Sequence, residues 1–179
     1  FLFLGAFIYV VIYTLWLKPR TSVNIVVGGL AGSCAVLSGS AAVGAWADSG
    51  ALLLALLLFF WTPIHFWSLA LVYRKDYEDV GVPMLPVTVS ARAAAGWALA
   101  HAVGVTISAL LLALPPGLGW LYLAPAGCLS VLLLARAVRL VLNPAATQAW
   151  AVFHMSNLYL LVILLAVCLA TAIGAGPAY

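Results

Sequence analysis

Residues 61–87 read WTPIHFWSLALVYRKDYEDVGVPMLPV, an apolar run that passes straight into three of the chain's four acidic residues. Only 6% of the chain is charged, so Asp76, Glu78 and Asp79 beside Arg74 and Lys75 mark the place where chemistry is expected. The apolar part has the length and composition of the end of a membrane-spanning helix. The charged part reads as the helix's emergence at a membrane surface.

The rest of the chain agrees with that frame. Its 179 residues are 67% hydrophobic, with a mean hydropathy of +1.23, outside the range of a soluble domain. Six apolar runs are long enough to cross a bilayer core, at residues 1–17, 25–45, 51–73, 92–114, 121–142 and 150–173. The expected fold is therefore all-α, a single multi-pass transmembrane bundle over residues 1–179. With these spans, Lys18, Arg20, Arg74, Lys75, Arg92, Arg136 and Arg139 all fall on one side, which the positive-inside rule makes cytoplasmic. Asp48 and a turn at Pro115-Pro116-Gly117 fall on the other. The net charge of +3 thus reads as topology, with no nucleic-acid-binding signature.

Phe1 already lies inside an apolar span, so the chain is expected to be the C-terminal part of a longer protein whose earlier helices are absent. Cys34, Cys128 and Cys168 stand alone in apolar runs and read as small packing residues. Gly28 with Gly32, and Ser40 with Gly44, have the spacing that lets one helix approach another closely. The VPMLPV loop at 82–87 is apolar yet proline-bracketed, and reads as a non-helical lid packed on protein.

Carboxylates at Asp76, Glu78 and Asp79 offer oxygen ligands to a hard cation, and Mg²⁺ is usually held by one or two carboxylates together with substrate phosphates. Arg74 and Lys75 add positive charge for the same phosphates. A solvated loop with incidental charges fits these residues equally well. If the helix continues, His65 and Asp76, eleven residues apart, share a face roughly 16 Å apart along the axis. An imidazole at that depth marks a functional site or a histidine hydrogen-bonded to a neighbouring helix. Trp61 lies one turn below it, and Ser68 and Val72 lie near the same line. His154, Ser156 and Asn157 form a second polar cluster, suited to interhelical hydrogen bonds or to substrate; His101 reads as packing. Lys18 and Arg20, just ahead of Asn24 at the start of the second long helix, suit an anionic head group, although topology alone explains them as well.

Four segments in order resemble the haem O synthases (protohaem IX farnesyltransferases), a branch of the UbiA-type intramembrane prenyltransferases. They are YTLWLKPRTSVNIVVGG, WTPIHFWSLAL, KDYEDVGVPMLPV and AVFHMSNLYL, which are similar to the family's YT-x-x-LKR-x-T-x-x-N, W-x-P-P-HFW-x-LA, DY-x-x-x-G-x-PMLPV and FH-x-S-x-x-YL segments. The chain departs from that pattern at Ile64, where the family has a second proline, and at Leu17-Lys18-Pro19, where it has LKR. The family's first Asn/Asp motif, in a loop between earlier helices, is not in this chain, so half of the implied metal site lies outside it and this part alone is not expected to be the active unit.

The resemblance implies farnesyl transfer from farnesyl diphosphate to a vinyl group of haem b. It makes Asp76 the leading Mg²⁺ ligand, with Glu78 and Asp79 beside it, and gives Arg74 and Lys75, with Lys18 and Arg20, to the diphosphate. Asn24 and Tyr77 join the substrate contacts, and His65 and His154 bind or orient the haem. Tyr13, Trp16, Trp61, Phe66 and Trp67 are candidate aromatic faces for an allylic cation. The implied setting is the cell membrane, with the bilayer and haem A synthase as partners. Two rivals remain, a related prenyltransferase acting on a quinone or lipid, and a transporter or haem-binding scaffold. Charges gathered in one lidded loop, instead of spread along several helices, argue against transport.

Overall fold

The computed structural model describes residues 1–114 and 118–174. The predicted Pro115-Pro116-Gly117 turn lies outside the described residues. Everything regular among them is helical. A short helix α1 (Leu2–Phe7) continues as a π-helix (Ile8–Leu17), and α2 (Asn24–Ala42) and α3 (Ser49–Val72) follow. Two short helices, α4 (Arg74–Asp79) and α5 (Leu85–Thr88), precede the long helices α6 (Ala91–Leu111), α7 (Gly119–Leu142) and α8 (Ala146–Gly174). Five of these, α2, α3, α6, α7 and α8, are long and apolar enough to cross a membrane. The sixth predicted span, Leu2–Leu17, is apolar but shorter. Exposed Leu30, Val131, Leu132, Leu161 and Leu165 give the long helices their lipid-facing surface.

Helix starts follow local chemistry. Asp48 caps α3 by accepting from the Ala51 amide at 2.7 Å, and Ser90 caps α6 by accepting from Ala93 at 3.2 Å. Pro63 inside α3 removes the donor that would meet the Phe59 carbonyl. Gly29 of α2 lies against that carbonyl, so closely that a Cβ there would stand 3.1 Å from it. Of the glycines predicted to serve close approach, Gly28 does so under the Tyr13 ring. Gly32 touches nothing within 4 Å, and Gly44 lies beyond the end of α2 at φ +78°.

The helices α3, α6, α7 and α8 close a ring in which each packs on the next, α2 lies outside it against α3, and the first helix lies against α2. Each seam of the ring carries a specific contact. Gly104 of α6 receives the Phe60 ring of α3, Tyr122 of α7 donates to the Ala109 carbonyl of α6 at 2.7 Å, and Ser130 of α7 meets the Tyr159 hydroxyl of α8 at 3.0 Å. Ser33 of α2 donates to the Ala55 carbonyl of α3 at 2.7 Å. In hydrocarbon such bonds are worth about 0.6–2 kcal/mol each, and the small residues beside them let the backbones close in. Cys34 is buried as expected of a packing residue, whereas Cys128 and Cys168 are exposed.

The third span ends at Val72, within a residue of its expected end at 73, and the condition under which His65 and Asp76 would share a face is not met: Tyr73 leaves the helical region at φ −97°, ψ 28°, and α4 starts anew at Arg74. His65 and Asp76 are therefore not on one continuous helix face. The break goes with the packing of both tyrosines beside it, Tyr73 edge-on to Trp150 of α8 at 5.8 Å and Tyr77 onto a cluster formed with Met84 and Ile25. The loop expected to be non-helical contains one turn of helix, Leu85–Thr88, which tolerates Pro86 because it sits in the first turn. Its packing is as expected of a lid, since Met84 and Pro86 are buried and Val82 and Val87 lie on Ile25 and Ala70.

A Cβ at Gly104 would lie 2.6 Å from the Phe60 ring. Gly104→Val should lower stability by about 1–3 kcal/mol, read as a lower thermal midpoint in detergent. Phe60→Ala in the same chain should recover part of that loss.

Candidate active site on the basic face

Connectivity places the segments 18–23, 73–90 and 143–145 at one end of the bundle, with Arg136 and Arg139 in the last two turns of α7 leading to it. Along α4, Tyr77 and Arg74 are half-buried while Lys75, Asp76, Glu78 and Asp79 are exposed. Helical spacing puts Asp76 and Asp79, three apart, on neighbouring positions of the same side and turns Glu78 away from Asp76. Asp76 lines a recess of about 300 Å³ with Tyr73, Tyr77 and Val80. Among the described residues, no three His, Cys, Asp or Glu side chains converge on a point where they could hold a metal by themselves.

Tyr77 reaches across to the next part of the site. It packs on the Ile25–Ala70–Met84 cluster, which Tyr13 and Phe66 also join. Beside that cluster, a second cavity of about 300 Å³ opens between the π-helix, α2 and α3, with Lys18, Thr14, Tyr13, Tyr9, Thr62 and Phe66 on its walls. The Lys18 ammonium stands 6.0 Å from the centre of the Tyr13 ring, at the charged end of an otherwise largely apolar space. This cavity can hold an apolar chain with an anionic head.

Asn24 and Arg20 have other work. The Asn24 amide nitrogen donates to the Lys18 carbonyl at 3.4 Å. Since a carbonyl only accepts, the amide is oriented by that bond, and its Oδ1 is left buried without a protein partner. That bond ties the Asn24 side chain to the backbone of Lys18, the cation of the cavity. Arg20 donates from Nη1 to the carbonyls of Leu15 and Trp16 at 3.2 and 2.9 Å, closing the C-terminal end of the π-helix. Of the two loop cations, only Lys18 lines the cavity.

His65 and Trp61 face α8. The Trp61 indole donates to the Ser156 carbonyl at 2.8 Å, and His65 Nδ1 lies 3.0 Å from Ser156 Oγ. Ser156 Oγ itself donates to the Phe153 carbonyl at 2.7 Å. With the serine proton committed there, Nδ1 of His65 must carry the hydrogen, and Nε2 keeps its lone pair. The imidazole is stacked between Trp61 at 4.4 Å and Phe153 at 4.6 Å. From Phe153 the aromatic surface continues through Trp150 to His154, stacked at 5.2 Å, and to Tyr73 at the Asp76 recess. His154 and Asn157 are exposed on this side, and only Ser156 of the predicted polar cluster is buried.

The structure thus brings Lys18, Tyr13, Phe66 and Tyr77 together on the α2 side of α3, around the Lys18 cavity, and Trp61, His65 and His154 into an aromatic row on its α8 side, with Asp76 at the end of that row. Trp67 turns instead to a cleft shared with Trp97 and His101, and Trp16 is exposed. Sequence reasoning missed Tyr9, Thr14 and Thr62 in the cavity and Trp150 and Phe153 in the aromatic row. Spacing along one helix does not show what another helix, ninety residues away, will supply.

The UbiA prenyltransferase family model matches residues 1–161. The chain is 49% identical over 166 residues to a protein named protoheme IX farnesyltransferase from Sulfurisphaera tokodaii, covering 92% of this chain and 54% of that protein. It is 42% identical over 174 residues to one of the same name from Metallosphaera sedula, covering 97% and 60%. It is 45% identical over 165 residues to protoheme IX farnesyltransferase 2 of Paramagnetospirillum magneticum, covering 92% and 57%. The chain therefore spans a little over half the length of these curated relatives. No solved structure matches it. With the family's model running from the first residue across the cavity, the acidic helix and the aromatic row, the chain belongs to the UbiA prenyltransferase family.

Proposed function

We propose that the protein of which this chain is part transfers a farnesyl group from farnesyl diphosphate to a vinyl group of protohaem IX (haem b), giving haem O. The observation that carries the acceptor is His65. Its Nδ1 is committed to Ser156 and its ring is held between two aromatic faces, so a neutral imidazole with a free Nε2 is held in a fixed orientation on the α8 side of α3. That is the form of histidine that ligates an iron porphyrin, with the outer hydrogen bond fixing the tautomer. The names of the relatives support the same reading.

The donor takes the Lys18 cavity on the α2 side of α3. Lys18 meets the diphosphate at the mouth while Tyr13 and Phe66 line the space for the tail. Arg74, half-buried on the Tyr77 side of α4, is better placed than Lys75 to join it. The hard oxygen donors Asp76 and Asp79, exposed and with no third His, Cys, Asp or Glu converging on them among the described residues, suit a Mg²⁺ whose remaining ligands come from diphosphate, water and the part of the protein outside this chain. When bound, such an ion neutralises charge on the departing diphosphate. The allylic C–O bond breaks with its electron pair leaving on the diphosphate, the terminal vinyl carbon supplies the pair for the new C–C bond, and water then adds to the cation left at the porphyrin-side carbon, forming the C–O bond of a hydroxyl and releasing a proton. Tyr13 and Phe66 keep water from the allylic cation and stabilise it through their ring faces, by about 0.5–2 kcal/mol each.

The setting proposed is the cell membrane, with the basic face cytoplasmic, where farnesyl diphosphate is soluble. Haem b, farnesyl diphosphate and the bilayer are the partners required, and haem A synthase is the enzyme that takes the product onward.

Asp76→Asn in the intact protein should lower prenyl transfer by a factor on the order of 10² or more, with the protein still inserted and folded. Near-normal turnover at saturating Mg²⁺ and farnesyl diphosphate would remove Asp76 from the metal site. His65→Ala should weaken haem binding, read in a Soret titration, and leave affinity for a non-hydrolysable farnesyl diphosphate analogue unchanged; loss of the analogue with haem retained would reverse the roles of the two sides of α3. A single cysteine replacing Arg74, in a protein without other cysteines, should resist an impermeant reagent applied outside intact cells. Labelling there would place the basic face outside.

A further inference from the structure

We infer that Tyr9 sets the length of the isoprenoid tail that the donor site accepts; this rests on the proposed reading that a prenyl diphosphate binds with its head at Lys18. Two cavities lie end to end along the seam between the first helix and α2. The first, about 300 Å³, has Lys18, Tyr13 and Gly28 on its walls. The second, about 400 Å³, has Gly5, Ala6, Ala31, Gly32 and Cys34. Running from Lys18 back to Gly5 on one helix, and from Gly28 forward to Cys34 on the other, the linings follow the antiparallel order of the two helices. Tyr9 lines both, at the point where one stops and the next begins. It is 57% exposed because both cavities open beside it.

The ring is held in that position. It stacks on Tyr13 at 5.6 Å, and Tyr13 in turn lies flat on Gly28, where a Cβ would stand 3.0 Å from the ring. The backbone beneath is tied as well, since Thr14 Oγ1 donates to the Tyr9 carbonyl at 2.7 Å. That bond spans five residues, the spacing of the π-helix, so the unusual helix is what brings Tyr9 and Thr14 into register on the cavity wall.

The chemistry of the second cavity matches a continuation of the tail. Its walls are apolar, small along the seam at Gly5, Ala6, Ala31, Gly32, Cys34 and Ala35 and larger at Phe1 and Leu2, with Ser38 the polar exception and no Lys or Arg side chain among them. The first cavity alone lies at the small end for a ligand site, and joining the two would more than double the space. A tail longer than farnesyl must pass Tyr9. The present ring stops it there.

The test uses the intact protein in detergent and two non-hydrolysable diphosphate analogues, farnesyl and geranylgeranyl, whose binding needs no haem. Tyr9→Ala should raise the affinity ratio of geranylgeranyl to farnesyl by at least about tenfold, the order expected for relief of a pocket clash. Tyr9→Phe, which keeps the ring, should leave the ratio as in the parent. Gly32 has nothing within 4 Å of where a Cβ would stand. Gly32→Leu added to Tyr9→Ala should therefore refill the second cavity and return the ratio towards its parental value. Should Tyr9→Ala fail to fold, Tyr9→Leu is measured in its place, with a smaller shift in the same direction. An unchanged ratio in a folded variant, as when the second cavity holds only a bilayer lipid, overturns the role of Tyr9. Because this is a binding measurement, it can fail while farnesyl transfer to haem is intact. It can also succeed where no haem is prenylated, which would fault the acceptor alone.

Discussion

Ser156 joins the two halves of the bundle. Two side chains of α3, Trp61 and His65, make hydrogen bonds to this one residue of α8, one to its carbonyl and one to its hydroxyl. In the membrane interior there is no water to take the place of either bond, so an indole or imidazole turned away from α8 would leave a polar group unsatisfied. The same pair of bonds closes the ring of α3, α6, α7 and α8 and determines which nitrogen of His65 stays free. The helix packing and the proposed haem contact therefore draw on one residue, and the rings of Trp61 and Phe153 lie on either side of the imidazole.

The opposite side of α3 is organised by apolar packing. Ile25, Ala70 and Met84 form a small cluster to which Tyr13, Phe66, Tyr77, Val82 and Val87 add their faces. Through Tyr77 it ties the acidic helix and its lid to the first two helices, while Asp76 lines a separate recess with Tyr73, Tyr77 and Val80. The arrangement separates two kinds of chemistry. Charged groups that meet a hydrated diphosphate stay at the exposed rim, where their desolvation costs little. The aromatic faces lie deeper, where a carbocation would need protection from water.

The legible part of the site was that in which sequence neighbours are also neighbours in space. The lid was readable because prolines and apolar residues alternate within six positions, and the cationic and acidic residues because so few charges occur in this chain. Arg20 and Asn24 show the limit of such reading. Residue type showed cations and an amide near a helix start, but not that Arg20 would close the end of the π-helix or that Asn24 would hold the Lys18 backbone. A donor or acceptor near the end of a helix is first claimed by the unpaired backbone groups there, and only the folded geometry shows which remain free.

What the sequence by itself determined is the membrane solvent, the helical class, five of the six spans to within a few residues and the side on which the charges gather. Each follows from composition and local length, because the bilayer imposes the same demand on every segment. Only the tertiary structure decided that the acidic segment forms a separate helix α4 and that His65 looks toward Ser156 and not toward Asp76. It also decided that Tyr9 stands between two cavities. These depend on which helix lies opposite, and in a chain whose helices are apolar on nearly every side, the facing partner is chosen by glycine-sized gaps and single hydrogen bonds that local periodicity does not encode.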